Sequence, residues 1–262
     1  MLLVIFLLGS NILVKQNEEQ DYGVFLSLDS SDMERIQGYQ TVVIDAQYFS
    51  KEEIAYLEKQ GSTVYSYINI GSIENFREYY DNYANQTLGS YENWEEEKWM
   101  DVSAYAWQEF LVLLEEDILD KGVNGFFVDN CDVYYEYPTE EIFSGLTVIL
   151  EHLMGYGKPV IINGGDSYVR KFMERYGNPK RIMTGINQEC VWSEINFETG
   201  TFSVRTGEEY AYFKDYVETC KGYGLDVYLL EYTTEKKMKQ KIKEYCTENQ
   251  FQCYISDSIE LD

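Results

Sequence analysis

The sequence contains one histidine, His152, among its 262 residues, and its five cysteines form no Cys-x-x-Cys pair. Ser/His/Asp catalysis and His-rich zinc sites both require more histidine than this. His152 falls on a segment with a helical pattern, so we interpret it as a helix-surface or packing residue. Cys131 and Cys190 lack a neighbouring histidine that would activate them, and we interpret both as small buried thiols. The sequence predicts no metal and no cofactor.

Basic residues are also scarce. Lys and Arg together number 21 against 46 Asp and Glu, which gives a formal net charge of −25. Binding to nucleic acid needs a cationic surface, so this composition argues against a nucleic-acid partner. Two interpretations of the acidic excess stay open: it concentrates a cationic ligand in a cleft, or it only keeps the protein soluble.

The most apolar stretch, residues 2–8, is too short for a membrane-spanning helix. It resembles the apolar core of a signal peptide, although the usual basic residues do not precede it. Residues 15–21 are polar and charged, as in a linker. We therefore predict that residues 1–20 are a signal-peptide remnant and linker, that residues 21–262 form one domain, and that the protein is secreted or lies at the cell surface.

Six short apolar runs in the remaining sequence each end in an acid or an amide. The runs end at Asp45, Asn69, Asp129, Asn163, Glu189 and Glu231. Continuous apolar runs are typical of buried parallel strands, and polar residues at their carboxyl ends lie where such sheets bind ligands. Helical patterns of ten or more residues separate the runs, which predicts parallel βα units.

The length and the 45% hydrophobic content suit one barrel with a full core. We therefore predict an α/β fold, a single (β/α)8 TIM barrel, whose first strand is Tyr22–Leu28 and whose last is Gln252–Ser256. The predicted connection over residues 72–102 is long and rich in Tyr and Trp. Connections of this length in compact domains are usually functional.

Glycosidic bond cleavage usually needs two carboxyl groups, and a barrel can supply them from different strand ends. The acids expected to converge are Asp45, Asp129, Asp132, Glu189 and Glu231. Any one of these acids alone is more simply explained as a member of a salt bridge or as the cap of the following helix. Taken together with the amides Asn69 and Asn163, the set predicts a polar binding site.

Five segments resemble glycoside hydrolase family 114, which contains endo-α-1,4-polygalactosaminidases and related TIM-barrel proteins. They are residues 42–45, 67–77, 93–102, 125–132 and 185–189. The blocks Gly-Phe-Phe-Val-Asp-Asn-Cys-Asp and Tyr-Ile-Asn-Ile-Gly are the most specific, and the similarity runs from about residue 22 to 256. The chain departs from the family at Ser72, where a glutamate often stands. Glu74 could replace that glutamate, or the preferred sugar could differ.

The resemblance implies retaining hydrolysis of α-1,4-linked galactosamine polymers, with Asp129 as nucleophile and Glu189 as general acid/base. We expect the two carboxyl groups to lie roughly 5 Å apart. Polar neighbours are expected to keep Asp129 ionised, and apolar neighbours to raise the pKa of Glu189.

Further residues are predicted to contact the sugar. Asp45, Asp132 and Glu231 would bind ammonium groups, and Asn69 and Asn163 would bind hydroxyls. The residues expected to stack on sugar rings or to meet ammonium groups are Tyr48, Tyr67, Trp94, Trp192 and Tyr232. The predicted partner is a cationic amino-sugar polysaccharide, and the protein is expected to be a monomer without a stable membrane span.

Two other functions stay open. The chain could be a carbohydrate-binding barrel that turns nothing over, or a hydrolase of the same fold that acts on another glycan. A metal-dependent deacetylase is disfavoured because the chain has no His-rich ligand set.

Overall fold

The computed structural model describes residues 20–92 and 94–262. Eight parallel strands form one sheet in which consecutive strands are neighbours. They are β1 (Gln20–Phe25), β2 (Tyr39–Ile44), β3 (Thr63–Asn69), β4 (Gly125–Asp129), β5 (Val160–Asn163), β6 (Gly185–Glu189), β7 (Asp226–Tyr232) and β8 (Gln252–Ser256). Strand β1 lies against β8, so the sheet forms a nearly closed barrel. The predicted (β/α)8 barrel is confirmed.

Helices occupy the connections between the strands. The helices that lead from one barrel strand to the next are α1 (Met33–Ile36), α2 (Lys51–Lys59), α3 (Tyr105–Asp120), α4 (Glu140–Gly155), α5 (Asp166–Tyr176), α6 (Gly207–Gly222) and α7 (Lys236–Asn249). Two further single-turn helices, Tyr80–Tyr83 and Val133–Glu136, lie in the β3–α3 and β4–α4 connections. Helix α2 begins with a capping box formed by Ser50 and Glu53. Ser103, which precedes α3, bonds Asp101 rather than capping the helix, and α3 begins after Ala104.

Two of the connections carry additional strands. The β3–α3 connection contains a three-stranded antiparallel sheet made of Ser72–Glu74, Thr87–Ser90 and Glu97–Met100. The β6–α6 connection contains an antiparallel hairpin, Ser193–Asn196 with Thr201–Val204. The two connections meet where the Trp94 ring packs edge-on to Phe197, with ring centroids 6.3 Å apart. Both insertions follow a carboxyl end of a barrel strand and so lie at the mouth.

Side chains alternate along each barrel strand between the interior and the helix layer. One cluster of buried residues fills the barrel interior: Tyr22, Val24, Val43, Tyr65, Tyr67, Phe127, Ile161, Tyr228, Leu230 and Tyr232. Their sequence neighbours, such as Val128, Ile162 and Leu229, belong to the larger core between the sheet and the helices. This alternation decides which strand-end residues face the mouth.

The two ends of the first strand differ from the prediction. Strand β1 begins at Gln20 and ends at Phe25, and the buried Leu28 lies in the turn that follows. The predicted signal-peptide remnant lies outside the described residues, apart from Gln20. Among residues 20–92 and 94–262, no helix combines the length and apolar character that crossing a bilayer requires.

Candidate active site

Asp129 and Glu189 are the last residues of β4 and β6, and Asn163 is the last residue of β5, which lies between them. The Asn163 amide nitrogen donates to Asp129 Oδ1 at 2.9 Å and to Glu189 Oε1 at 2.8 Å. One nitrogen atom therefore bridges both carboxyl groups. The two bonded oxygens can be no more than 5.7 Å apart, the sum of these distances.

Each carboxyl group also has donors of its own. The Tyr232 hydroxyl donates to Glu189 Oε2 at 2.8 Å. The backbone N–H of Asn130 and the Tyr67 hydroxyl both favour the ionised form of Asp129, although the Tyr67 hydroxyl also donates to Glu74 Oε1 at 3.3 Å. Asn130 has a left-handed backbone (φ 66°). All of these donors are neutral, so the pair carries no compensating positive charge from them.

Burial, together with the charge of Glu189, raises the pKa of Asp129 to about 7, and the hydrogen bond from Asn163 acts in the opposite direction. Burial also raises the pKa of Glu189, although its hydrogen bonds from Asn163 and Tyr232 oppose this. Two partly buried acids this close titrate as a coupled pair. The polar neighbours that were expected to keep Asp129 ionised are outweighed by burial, so the pKa of Asp129 is raised above its usual value.

A second acidic group lies around Arg77 on the β3–α3 connection. Arg77 Nη1 contacts Asp45 Oδ2 at 2.7 Å, and Arg77 Nη2 contacts Glu74 Oε1 at 3.0 Å. All three side chains are buried. Asp45 also caps the short helix Ala46–Tyr48 through the backbone N–H of Gln47. One arginine thus pairs with both Asp45 and Glu74, and both carboxyl groups are committed to it.

Glu231 and Trp192 point away from the mouth. Glu231 is fully buried and accepts bonds from the backbone N–H groups of Trp192 and Ser193 at 3.0 and 2.8 Å, and from the Ser193 hydroxyl at 2.6 Å. Trp192 packs edge-on against Tyr210 of α6 and Tyr245 of α7. Strand alternation explains this, because Tyr232 faces inward and its neighbour Glu231 must face outward.

Glu97 joins the mouth from the three-stranded sheet, and the sequence analysis missed it. Its Oε2 accepts from the Ser72 hydroxyl at 2.5 Å and from the Asn130 amide at 3.4 Å. Burial raises the pKa of Glu97 to about 7. The predicted sugar ligand Asn69 is committed to this turn, since its amide both donates to and accepts from Ser72. Nothing in the acidic run 95–97 distinguishes Glu97 from its neighbours.

Tyr91 links this region to the carboxyl pair. Its hydroxyl donates to Asn130 Oδ1 at 3.1 Å, and its ring stacks on Trp99 at a centroid distance of 4.0 Å. Burial raises the pKa of Tyr91, and nearby acids add to this effect. Those acids are Asp129, Asp132, Glu97 and Glu189. One tyrosine thus lies within electrostatic reach of these four carboxyl groups.

Asp132 completes the acids at the mouth. Its Oδ2 accepts from the backbone N–H of Gly165 at 3.0 Å, and burial raises its pKa to about 7. Gly164 has a positive φ, and a Cβ there would lie 2.7 Å from Asp132 Oδ2. Glycine is therefore required where the β5–α5 turn passes this carboxyl group.

The predicted aromatic residues divide into two groups. Tyr67 and Tyr232 are buried beside the carboxyl pair, whereas Tyr48 and Trp94 are 46% and 42% exposed at the rim. The Arg77 guanidinium lies 5.7 Å from the centroid of the Tyr48 ring. The exposed rings are available to a ligand, and the buried tyrosines hold polar groups in place.

The remaining polar candidates lie elsewhere. His152 contacts the buried Glu115 at 2.7 Å between helices α3 and α4, on the outside of the barrel. Burial raises the pKa of the Cys131 and Cys190 thiols. Within the described part of the chain, no group of three or more His, Cys, Asp or Glu side chains could hold a metal ion.

Comparison with known proteins decides the family. The model of glycoside-hydrolase family GH114 matches residues 12–258. The chain belongs to glycoside hydrolase family 114. It is therefore a glycoside hydrolase, and the site at the mouth of its barrel is the candidate active site. No curated protein matches the chain closely enough to count as a relative.

Solved structures with this fold include several glycosidases. The glycoside hydrolase domain of PelA from Pseudomonas aeruginosa has a TM-score of 0.78 at 16% identity, covering 92% of this chain and 96% of that domain. Ega3 from Aspergillus fumigatus, in complex with galactosamine, has a TM-score of 0.69 at 17% identity, with 93% of each chain covered. The α-galactosidase TtGalA from Thermus thermophilus has a TM-score of 0.56 at 9% identity, covering 89% of this chain and 57% of that one. At these identities the likeness establishes the fold alone.

Proposed function

We propose that this family 114 hydrolase cleaves an α-1,4-linked, galactosamine-containing polysaccharide with retention of anomeric configuration. The Asn163 bridge carries this proposal, because it keeps the bonded oxygens of Asp129 and Glu189 within 5.7 Å. Carboxyl groups about 5–5.5 Å apart are typical of retaining glycosidases, whereas inverting enzymes separate theirs by about 6.5–9.5 Å. The bound on these oxygens favours retention.

In the proposed mechanism, Asp129 attacks the anomeric carbon and Glu189 protonates the leaving glycosidic oxygen. Glu189 then removes a proton from the water that hydrolyses the glycosyl–Asp129 intermediate. Asp129 must be ionised for the first step, although its pKa in the free protein is about 7. A cationic sugar bound nearby would lower that pKa, since an opposite charge favours the ionised form. A positively charged substrate thus assists its own cleavage.

Three observations support an amino-sugar polymer as the substrate. The chain has a net charge of −25, and Asp132 and Glu97 lie near Asp129 with neutral hydrogen-bond donors. Ega3, which shares the fold, binds galactosamine in its solved structure. We propose that Asp132 and Glu97 contact ammonium groups. Asn163 is left out of the proposed sugar contacts because its amide bonds Asp129, Glu189 and Asn187.

The exposed rings of Tyr48 and Trp94 are proposed to stack on sugars at the rim, and Tyr67 and Tyr232 to border the cleaved residue. Asp45 is left out of the proposed contacts because Arg77 occupies it, and Asn69 because its amide is committed to Ser72. Glu231 and Trp192 are left out because they face the helix layer.

The test is product release from partially deacetylated α-1,4-galactosamine polymer, followed by mass spectrometry. Wild type should release short oligosaccharides, and Asp129→Asn and Glu189→Gln should release none. Glu96→Gln is the matched control, because Glu96 is an exposed acid on the same side of the molecule. Binding without cleavage by wild type would instead support a carbohydrate-binding barrel. Cleavage of a neutral glycan in preference to the amino sugar would change the substrate.

We also propose that the protein acts outside the cytoplasm, on the strength of the apolar stretch at residues 2–8. Expression of the full chain in a bacterial host followed by fractionation tests this. Recovery in the medium or at the surface, with residues 1–20 removed, is expected. Recovery of the uncleaved chain in the cytoplasm would contradict it.

A further inference from the structure

A chain of hydrogen bonds runs through the barrel interior to the carboxyl pair. The Tyr22 hydroxyl donates to Asn187 Oδ1 at 3.1 Å, and the Asn187 amide nitrogen donates to Asn163 Oδ1 at 2.7 Å. The Asn163 amide nitrogen then donates to both Asp129 and Glu189. Three strands, β1, β6 and β5, contribute one member each.

The chemistry of the amide group fixes the direction of this chain. An ionised carboxylate only accepts hydrogen bonds, so Asn163 must present its nitrogen to the pair and its oxygen to Asn187. Asn187 must then present its own nitrogen to Asn163 and its oxygen to Tyr22. The Tyr22 hydroxyl, in turn, must donate. If Asn187 reverses, Asn163 must reverse too, and its oxygen then faces the carboxyl pair.

The burial of these groups argues against a packing role. Asn187 is completely buried and Tyr22 is 2% exposed. Around them the barrel interior contains apolar side chains, including Val24, Phe127 and Leu230. Polar groups in such surroundings are costly unless every hydrogen bond is made, and an apolar side chain would fill the same volume without that cost.

We propose that Tyr22 and Asn187 are positioning residues that hold the Asn163 amide as a double donor to Asp129 and Glu189. The inference rests on the proposed function, since it gives these two carboxyl groups their catalytic roles. The double donor bridges the two groups and favours the ionised form of Asp129, which the attack on the anomeric carbon requires.

Other titratable groups face the carboxyl pair from the surrounding elements and bear on any pH profile. They are Tyr67 from β3, Tyr91 and Glu97 from the β3–α3 connection, Asp132 from the β4–α4 connection, Cys190 after β6, Tyr22 from β1 and Tyr232 from β7. None of these described groups is a basic residue. Apart from Tyr22, which is itself substituted, the variants below leave this acidic and phenolic background intact.

The first test is Tyr22→Phe, which removes one hydroxyl and keeps the ring. Without its donor, Asn187 can reverse, Asn163 loses its fixed orientation, and the pKa of Asp129 rises. We expect the acid limb of the kcat/KM–pH profile to move up by about one pH unit. We expect kcat at neutral pH to fall roughly tenfold, with KM unchanged.

Tyr228→Phe is the matched control. The centroid of the Tyr228 ring lies 4.8 Å from that of Tyr22 in the same interior. The Tyr228 hydroxyl, however, bonds Tyr65 and takes no part in the hydrogen bonds that lead to Asn163. This variant should lose a comparable amount of thermal stability and keep the wild-type pH profile. It separates the effect of losing a buried hydroxyl from the effect of breaking the series of hydrogen bonds from Tyr22 to Asn163.

A second variant, Asn187→Leu, interrupts the chain at its centre. It should shift the acid limb in the same direction and lower kcat more than Tyr22→Phe does. The double variant should be no worse than Asn187→Leu alone, because both residues act through the same amide.

The outcomes separate this inference from the proposed function. Full activity of Asp129→Asn and Glu189→Gln would contradict the proposed function itself. If those variants are inactive while Tyr22→Phe and Asn187→Leu keep the wild-type kcat and pH profile, the positioning inference is wrong. Additive losses in the double variant would also contradict it.

Discussion

Two groups of acids lie at the same mouth and differ in the group that pairs with them. Asp45 and Glu74 share Arg77, whereas Asp129 and Glu189 share the neutral amide of Asn163. In the first group the guanidinium opposes the effect of burial, which raises the pKa of Asp45. In the second group the donors are neutral: the pKa of Asp129 is raised to about 7, and burial raises the pKa of Glu189 as well. The comparison indicates that the arginine-paired acids hold the connection in place and that the amide-bridged acids perform chemistry.

Substitution at the amide-bridged pair should have the largest effect on activity. Asp129→Asn and Glu189→Gln should each lower kcat by about 10³-fold or more, because each removes a reacting group. Their melting temperatures should stay at or above that of wild type, since each substitution removes one of two buried acids that repel each other. Steady-state kinetics and calorimetry on the same preparations would check both expectations. A large fall in melting temperature would contradict the division of roles.

Substitution at the arginine-paired group should affect stability first. Arg77→Met leaves two buried carboxylates without their cation, and breaking such a group costs about 3–5 kcal/mol of unfolding free energy. Denaturant unfolding would measure this loss. The triple variant Arg77→Met, Asp45→Asn, Glu74→Gln removes the unpaired charges and should recover much of the loss. A stable, fully folded Arg77→Met would contradict the structural role.

Stability and activity should respond to pH in opposite directions. Five buried or partly buried acids have pKa values raised to about 7: Glu97, Glu115, Asp129, Asp132 and Glu231. Between about pH 4 and pH 7 the folded protein holds protons that the unfolded chain has lost, so the free energy of unfolding falls as the pH rises from about 4 to about 7 and then levels off. The melting temperature should be higher at pH 5 than at pH 8 by on the order of 5 °C.

Activity should instead fall between pH 7 and pH 5, because Asp129 becomes protonated. A thermal-shift series alongside initial rates would check both slopes. Stability that increases from pH 5 to pH 8 would show that these carboxyl groups are ionised in the folded protein at low pH, contrary to this account.

A smaller effect should distinguish Glu97 from its exposed neighbour Glu96. Glu97→Gln should raise KM for a fully deacetylated oligosaccharide by roughly tenfold, since it removes one desolvated contact to an ammonium group. KM for an N-acetylated oligosaccharide should change little. Glu96→Gln removes the same charge from the protein surface and should leave both KM values within about twofold, because exposed charges contribute little. Equal effects of the two variants would mean that Glu97 acts only through the overall negative charge of the protein and not through a contact to the ammonium group.

Much of the fold could be predicted because buried parallel strands have a strong sequence pattern. The bounds of β3, β4 and β8 agree with the apolar runs, and five of the six terminal polar residues lie at the mouth. Glu231 does not, because alternation along β7 turns it to the helix layer while Tyr232 faces inward. Applying that alternation to β6 would also have found Asn187, two residues before Glu189.

The rest of the site depends on contacts that local pattern does not encode. Glu97 reaches the mouth through an antiparallel sheet inserted after β3, and its bond to Ser72 joins positions 25 residues apart. The pairing of Arg77 with Asp45 spans 32 residues. The raised pKa of Asp129 was not predicted for a related reason. Its neighbours in sequence are polar, but residues distant in sequence enclose it on the barrel side.

The central claim is that Asp129 and Glu189 form a retaining pair that acts on an α-linked amino-sugar polymer. The most direct measurement is the anomeric configuration of the first product, followed by ¹H NMR during hydrolysis of deacetylated α-1,4-galactosamine oligosaccharide. The account predicts that the α anomer forms first and then mutarotates to the equilibrium mixture. Initial release of the β anomer would mean inversion and would contradict the assignment of Asp129 as nucleophile.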